Sequence, residues 1–201
     1  FWYDNNKRIL PWRKNTSKEQ KLYFTLVSEF MLQQTQVSTV IPYFKRFVQK
    51  IPNFKKLSKA NDQTLMKLWE GLGYYSRARN LKKSAIMING KFGGTLPSNI
   101  EDLKSLPGVG DYTSTAIMAI AFNQKFIPLD GNVERILKRV LYLRNEKDIS
   151  KENMQISKNF FGLSERASDY AQAIMELGAL VCRPTSPLCD KCPIRINCIS
   201  Y

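Results

Sequence analysis

The sequence contains no histidine. That excludes Ser-His-Asp hydrolysis, Cys-His nucleophiles and every His-ligated metal site, and leaves carboxylates, lysine, tyrosine or cysteine to carry any chemistry. No apolar stretch approaches the ~20 residues needed to span a bilayer as a helix, and nothing at the start reads as a signal peptide. Acidic residues are scarce: 17 Asp and Glu stand against 31 Lys and Arg, a formal net charge of +14. Cysteine is confined to the last twenty residues, so no thiol elsewhere can pair across the fold. With 43% hydrophobic and 11% aromatic residues, the 201-residue chain is too apolar for a disordered basic tail. Its length suits one large domain or two small ones. The charge excess suggests a polyanionic partner, with nucleic acid ahead of a membrane surface.

The periodicity is helical nearly throughout. An apolar helix begins at Tyr23 and runs to Leu32. Ile41, Phe44 and Val48 mark a second helix from Val40, and Leu65, Leu68 and Leu72 a third. Leu81, Ala85 and Ile88 mark another. Breaks fall at Gly71-Leu72-Gly73, Gly90 through Pro97, Pro107 to Gly110 and Pro128 to Gly131. No alternating strand pattern, internal repeat or low-complexity linker is present. An all-α fold of about ten helices joined by short turns is expected. Serial order suggests two lobes, one of residues 21–125 and one closed by 1–20 with 126–201.

Residues Ile100 to Leu106 read as a short helix, and Asp111 to Ala121 as another. Between them lies Leu106-Pro107-Gly108-Val109-Gly110. Helix, Pro-Gly-Val-Gly turn and helix make a helix-hairpin-helix module over about 100–122. Gly108, Val109 and Gly110 would bring backbone amides together at a helix N-terminus, where a DNA phosphate can sit.

Cys182, Cys189, Cys192 and Cys198 are spaced C-x6-C-x2-C-x5-C. Four close thiols without a secretory signal favour metal over disulfides. Spacing does not separate structural zinc from a four-iron cluster, since both accept four thiolates.

The hairpin string, Leu129-Asp130-Gly131-Asn132-Val133 about twenty residues on, and the cysteine spacing together resemble the helix-hairpin-helix, iron–sulfur DNA glycosylase superfamily. Within it, Ser28-Glu29-Phe30-Met31-Leu32-Gln33-Gln34-Thr35-Gln36-Val37 and Gly71-Leu72-Gly73-Tyr74-Tyr75-Ser76-Arg77-Ala78-Arg79-Asn80 resemble the MutY-type adenine DNA glycosylases. The resemblance covers nearly the whole chain. It implies a 4Fe-4S cluster on the four cysteines rather than zinc. It also implies a monomeric base-excision enzyme of the bacterial cytoplasm, associated with the nucleoid. Its partner would be double-stranded DNA holding A:8-oxoguanine or A:G mispairs, with no membrane involved. Bifunctional lyases of the superfamily carry a lysine just inside the helix after the hairpin; Tyr112 stands there, so the resemblance favours a monofunctional glycosylase. The chain opens on Phe1 and stops three residues past the last cysteine, where MutY-type proteins continue into a NUDIX-like domain. It is therefore read as part of a longer protein.

Releasing adenine requires a proton for the leaving purine and stabilisation of an oxocarbenium-like sugar. Without histidine, two carboxylates in different environments are the simplest solution. Glu29 sits in an apolar helix, where burial would keep its proton near neutral pH. Asp130 lies at or near a helix N-terminus, which favours the ionised form. The resemblance assigns Glu29 as acid and Asp130 as stabiliser or transient nucleophile, assisted by Asn132 and Tyr112. It implies that Gln34 and Tyr74 wedge into the duplex after base flipping, with Gln33 beside them. Thr35 and Leu72 would lie near 8-oxoguanine. Arg8, Trp12, Leu32, Val37, Gln172 and Met175 would line the adenine pocket.

Overall fold

A computed structural model describes residues 2–14, 16–142 and 165–201. Residues 143–164, counted above in the C-terminal lobe, lie outside the described set. The described residues form ten α-helices and no strand. They are α1 (Trp2–Asn6), α2 (Lys18–Leu32), α3 (Val37–Lys50), α4 (Phe54–Lys59), α5 (Asp62–Trp69), α6 (Ser76–Lys91), α7 (Ile100–Ser105), α8 (Asp111–Ile120), α9 (Gly131–Leu141) and α10 (Ala167–Leu180). Short polar residues start many of them. Asn53, Asn61, Asn99 and Asp130 each accept a hydrogen bond from the backbone N–H three residues on, at 2.7–2.8 Å. Helix α5 stops at Trp69, so Leu72 falls beyond its end rather than on its apolar stripe. Gly71 takes φ +89°, which a helix cannot continue through.

The chain divides into two compact units, residues 9–117 and residues 1–8 with 118–201. Residues 9–20 thus cluster with the first unit and not with the C-terminal lobe. The reason is aromatic: the Trp12 ring meets Phe44 edge-on at 5.3 Å, and Phe24 meets the same ring at 5.2 Å. In this unit α2 is the central helix, buried continuously from Leu22 to Met31. Phe44, Phe47, Leu57, Leu65, Trp69, Leu81 and Ile88 complete the core around it. Tyr23 is buried there, and its hydroxyl donates to the Ile51 carbonyl.

The other unit packs Val133, Ile136 and Leu137 of α9 against Ala167, Ile174 and Leu177 of α10, with Ile127 and Val181. Its N-terminal helix is held by Arg166, which pairs with both Asp4 and Asp169. That pairing holds the Asp4 carboxyl down at about 2. Where α9 and α10 meet, Gly178 faces Asn132 so closely that an added Cβ would lie 2.6 Å from the Asn132 Cβ. Gly178→Ala is therefore expected to lower stability by about 1–3 kcal/mol, the cost of overpacking a tight contact. Thermal unfolding followed by circular dichroism checks this, and an unchanged midpoint would contradict the close approach.

Candidate active site

In the unit of residues 9–117, the last turn of α2 places Glu29 inside the protein. The residue is 5% exposed, and its Oε2 is shielded from solvent. Leu26, Phe30 and Met31 around it are fully buried, so the carboxyl sits in an apolar setting because the helix that carries it is core on all sides. The helix ends at Leu32, half-buried, and the Gln33 amide donates back to the Glu29 carbonyl at 3.3 Å. The chain then turns: Gln34 is exposed with φ +55°, Thr35 and Val37 are half-buried, and α3 begins.

A second turn, Gly71 to Tyr75, belongs to the same unit. Leu72 is 5% exposed and anchors it, whereas Tyr74 is 62% exposed with φ +46°. An exposed aromatic ring and an exposed amide side chain, each on left-handed backbone, are held outward by turns whose neighbours are buried.

The hairpin lies beside the α2 terminus. Gln33 Nε2 donates to the Gly108 carbonyl at 3.3 Å and to Thr113 Oγ1 at 3.4 Å. Gly108 has φ +83°, and a Cβ there would meet Phe30 of α2 at 2.9 Å, so only glycine fits. Val109 is 6% exposed: its side chain is a core anchor, and only backbone of the turn faces outward with Gly108 and Gly110. Tyr112, half-buried, occupies the second position of α8. Trp12 is engaged with Phe44 as described above.

The unit of residues 1–8 and 118–201 carries the second carboxylate. Asp130 is the N-cap of α9: Oδ1 accepts from the Val133 amide at 2.7 Å, and Oδ2 accepts from Asn132 Nδ2 at 3.2 Å. Asn132 is itself held, because its Oδ1 accepts from Arg135 Nη2 at 2.7 Å. Arg135 also donates to the carbonyls of Gly131 (3.1 Å), Gly178 (2.8 Å) and Cys182 (2.8 Å). A guanidinium fork can serve that many acceptors at once because its donors are fixed in one plane.

Arg8, expected at an adenine pocket, makes a bidentate ion pair with Glu176, at 2.8 and 3.0 Å, and the Glu176 side chain is fully buried. Gln172 is buried and donates to Ser168, while Met175 packs on the apolar core of this unit.

The four cysteines follow α10 in the same unit. All are free and half-buried. Burial pushes the Cys192 thiol above its usual value, and charge on Cys182, Cys198 and Cys189 would push it further, so each of those three lies within electrostatic reach of Cys192. Arg139 Nη1 donates to Cys182 Sγ at 3.3 Å, and the Arg139 carbonyl accepts from Cys198 Sγ at 3.7 Å. Among the described residues, no three ligand-type side chains converge into a ready coordination set. The donor set nevertheless fits a thiophilic centre: four sulfurs, no nitrogen ligand, and a cation on one sulfur that would stabilise thiolate charge. Arg135 and Arg139 did not emerge from sequence reading. Their spacing of four along α9 was the available signal, since it sets both on one face.

A family model described as "HhH-GPD superfamily base excision DNA repair protein" matches residues 27–160. Over its full length the chain is 44% identical to the adenine DNA glycosylase of Rattus norvegicus and 38% identical to that of Buchnera aphidicola subsp. Schizaphis graminum. It spans 40% and 57% of those proteins, respectively. A solved thermostable thymine-DNA glycosylase superposes with a TM-score of 0.85 at 26% identity, covering 100% of this chain and 91% of that one.

Arg135→Met keeps the aliphatic stem but deletes every donor to Asn132, Gly131, Gly178 and Cys182. It is expected to cost about 2–3 kcal/mol of stability, the scale for hydrogen bonds from a charged donor to partly buried acceptors. Denaturant midpoints measure it; a shift below the measurement error would remove Arg135 from its central place.

Proposed function

The chain belongs to the HhH-GPD superfamily of base excision DNA repair proteins, and from that premise we propose that it removes adenine from duplex DNA where adenine faces 8-oxoguanine or guanine. The observation that carries the reading is Glu29, a shielded carboxyl on a core helix, one turn before the exposed Gln34. Identity of 38–44% to adenine DNA glycosylases against 26% to the thymine enzyme favours adenine as the base.

The lysine- and arginine-rich surface supplies a salt-dependent hold on phosphates, and the hairpin backbone at Gly108 to Gly110 fixes register. Gln34 and Tyr74 enter the stack as adenine leaves it, with Gln33 behind them and Thr35 and Leu72 toward the opposing base. Leu32 and Val37, half-buried in the unit that carries Glu29, would contact the extruded adenine. Glu29 gives its proton to purine N7. The C1′–N9 bond then breaks, its electron pair goes to the purine, and positive charge develops on the sugar. Asp130, oriented by Val133 N–H and Asn132, stabilises that charge or adds to C1′, and water completes the hydrolysis. Tyr112 offers no amine, so no Schiff base forms and the strand is left uncut. The enzyme acts as a monomer.

Cys182, Cys189, Cys192 and Cys198 would hold a 4Fe-4S cluster, with zinc as the competing occupant. When bound, the cluster supplies a rigid crosslink of the segment after α10.

Glu29→Gln is expected to abolish adenine release while leaving duplex affinity within about threefold, since an amide cannot serve as the acid but keeps the shape. Single-turnover assays on duplexes with A or T opposite G or 8-oxoguanine test both acid and base choice. Parental release by the variant would sink the acid assignment, and release of thymine alone would transfer the reading to the thymine enzyme. Purified protein is expected to be brown, with broad visible absorbance; a colourless preparation carrying one zinc per chain would exclude the iron cluster.

A further inference from the structure

Gln34 and Tyr74 both sit on left-handed backbone. Such conformations are strained for residues with a side chain and persist only where surrounding contacts over-determine them. Both turns converge on one side chain. Arg77, 6% exposed in the first turn of α6, donates through Nη1 to the carbonyls of Phe30 (3.3 Å), Met31 (2.8 Å) and Gln33, and to Thr35 Oγ1 (3.1 Å). Through Nη2 it donates to the carbonyls of Leu72 (3.0 Å) and Gly73 (3.1 Å). Its guanidinium also lies 5.6 Å from the Trp69 ring and 5.5 Å from the Tyr74 ring, and Trp69 Nε1 donates to Gly73 at 3.1 Å.

We propose that Arg77 is the positioning residue that locks the Gln34 and Tyr74 turns together as one wedge, so that both side chains are set before the duplex arrives. The proposal rests on the reading of those two residues as the groups that replace adenine in the stack. One planar cation holds the carbonyls that lead into Gln34 at the end of α2 and those that lead into Tyr74 between α5 and α6. Lysine keeps the charge but directs three donors tetrahedrally from a single nitrogen, so it cannot hold both turns. The wedge therefore loses its fixed spacing in Arg77→Lys, while the hairpin and the basic surface still bind phosphate. Arg77 touches no reacting atom; it acts through the two turns.

The test uses the full chain carrying Glu29→Gln, which stops base release, and a duplex with 2-aminopurine opposite 8-oxoguanine. The probe brightens when it leaves the stack. At saturating protein, Arg77→Lys is expected to reduce the brightening about tenfold, the scale of one charged hydrogen bond, with Kd within about threefold. A general loss of structure would weaken binding at least as much as extrusion. Trp69→Phe removes the hydrogen bond to Gly73 together with part of a buried ring that faces Phe47 and Arg77, and should reduce brightening in the same direction; it carries the comparison if Arg77→Lys fails to fold by circular dichroism. Full brightening in the folded variant, or brightening and affinity lost in equal proportion, overturns the proposal. If the protein without further substitution produces no brightening at all, the wedge reading itself fails, and the two failures are told apart.

Discussion

Helix α2 ends in the interior, and its last carbonyls have to be satisfied there rather than in water. The helix is buried over ten consecutive residues, which makes it the scaffold of its unit and places the Glu29 carboxyl in a dry setting. A helix C-terminus normally relies on a glycine cap or solvent. Here Arg77 reaches in from α6 and takes the carbonyls of Phe30, Met31 and Gln33. The hairpin leans on the same turn through Gln33, and Gly108 is confined to glycine by Phe30. Burial of one helix end thus sets the surroundings of the Glu29 carboxyl, the path of the exposed turns and the seat of the hairpin.

The second unit uses the same device at the other polarity. Helix α9 begins with Asp130, whose oxygens accept from Val133 and Asn132, and Arg135 then secures Asn132 from the far side. Arg135 and Arg139, four residues apart on α9, reach the backbone of Cys182 and its sulfur. The carboxylate and the cysteine segment are therefore held by one helix face. Arginine does this work in both units because a guanidinium can bond several carbonyls in a fixed plane and remain charged. Not all of the positive charge behind the net +14 stands free at the surface. Arg77, Arg135 and Arg8, the last on Glu176, are engaged by internal acceptors.

Much of this was legible along the chain. The hairpin announced itself through Leu-Pro-Gly-Val-Gly between two short helices, and the Asp130 cap through Leu-Asp-Gly-Asn ahead of an amphipathic helix. Glu29 could be placed in a core helix because Leu26 and Leu32 flank it three residues to either side and Phe30 adjoins it. Other positions could not be read this way. Nothing near Trp12 in the chain marks its partner, Phe44 of α3; Arg8 finds Glu176, more than 160 residues away. Leu72 fitted a helical stripe by count, yet Gly71 ends the helix before it.

Local spacing alone determined the all-helical class, the hairpin, the thiol quartet and the exclusion of histidine chemistry. These depend on turn geometry, capping and residue chemistry within a few positions of the chain. Which arginine satisfies which buried carbonyl, where the two units divide, and why Gln34 and Tyr74 are held outward were decided only by tertiary structure. A buried polar group accepts whichever donor packing brings within about 3 Å, and sequence order carries no record of that distance.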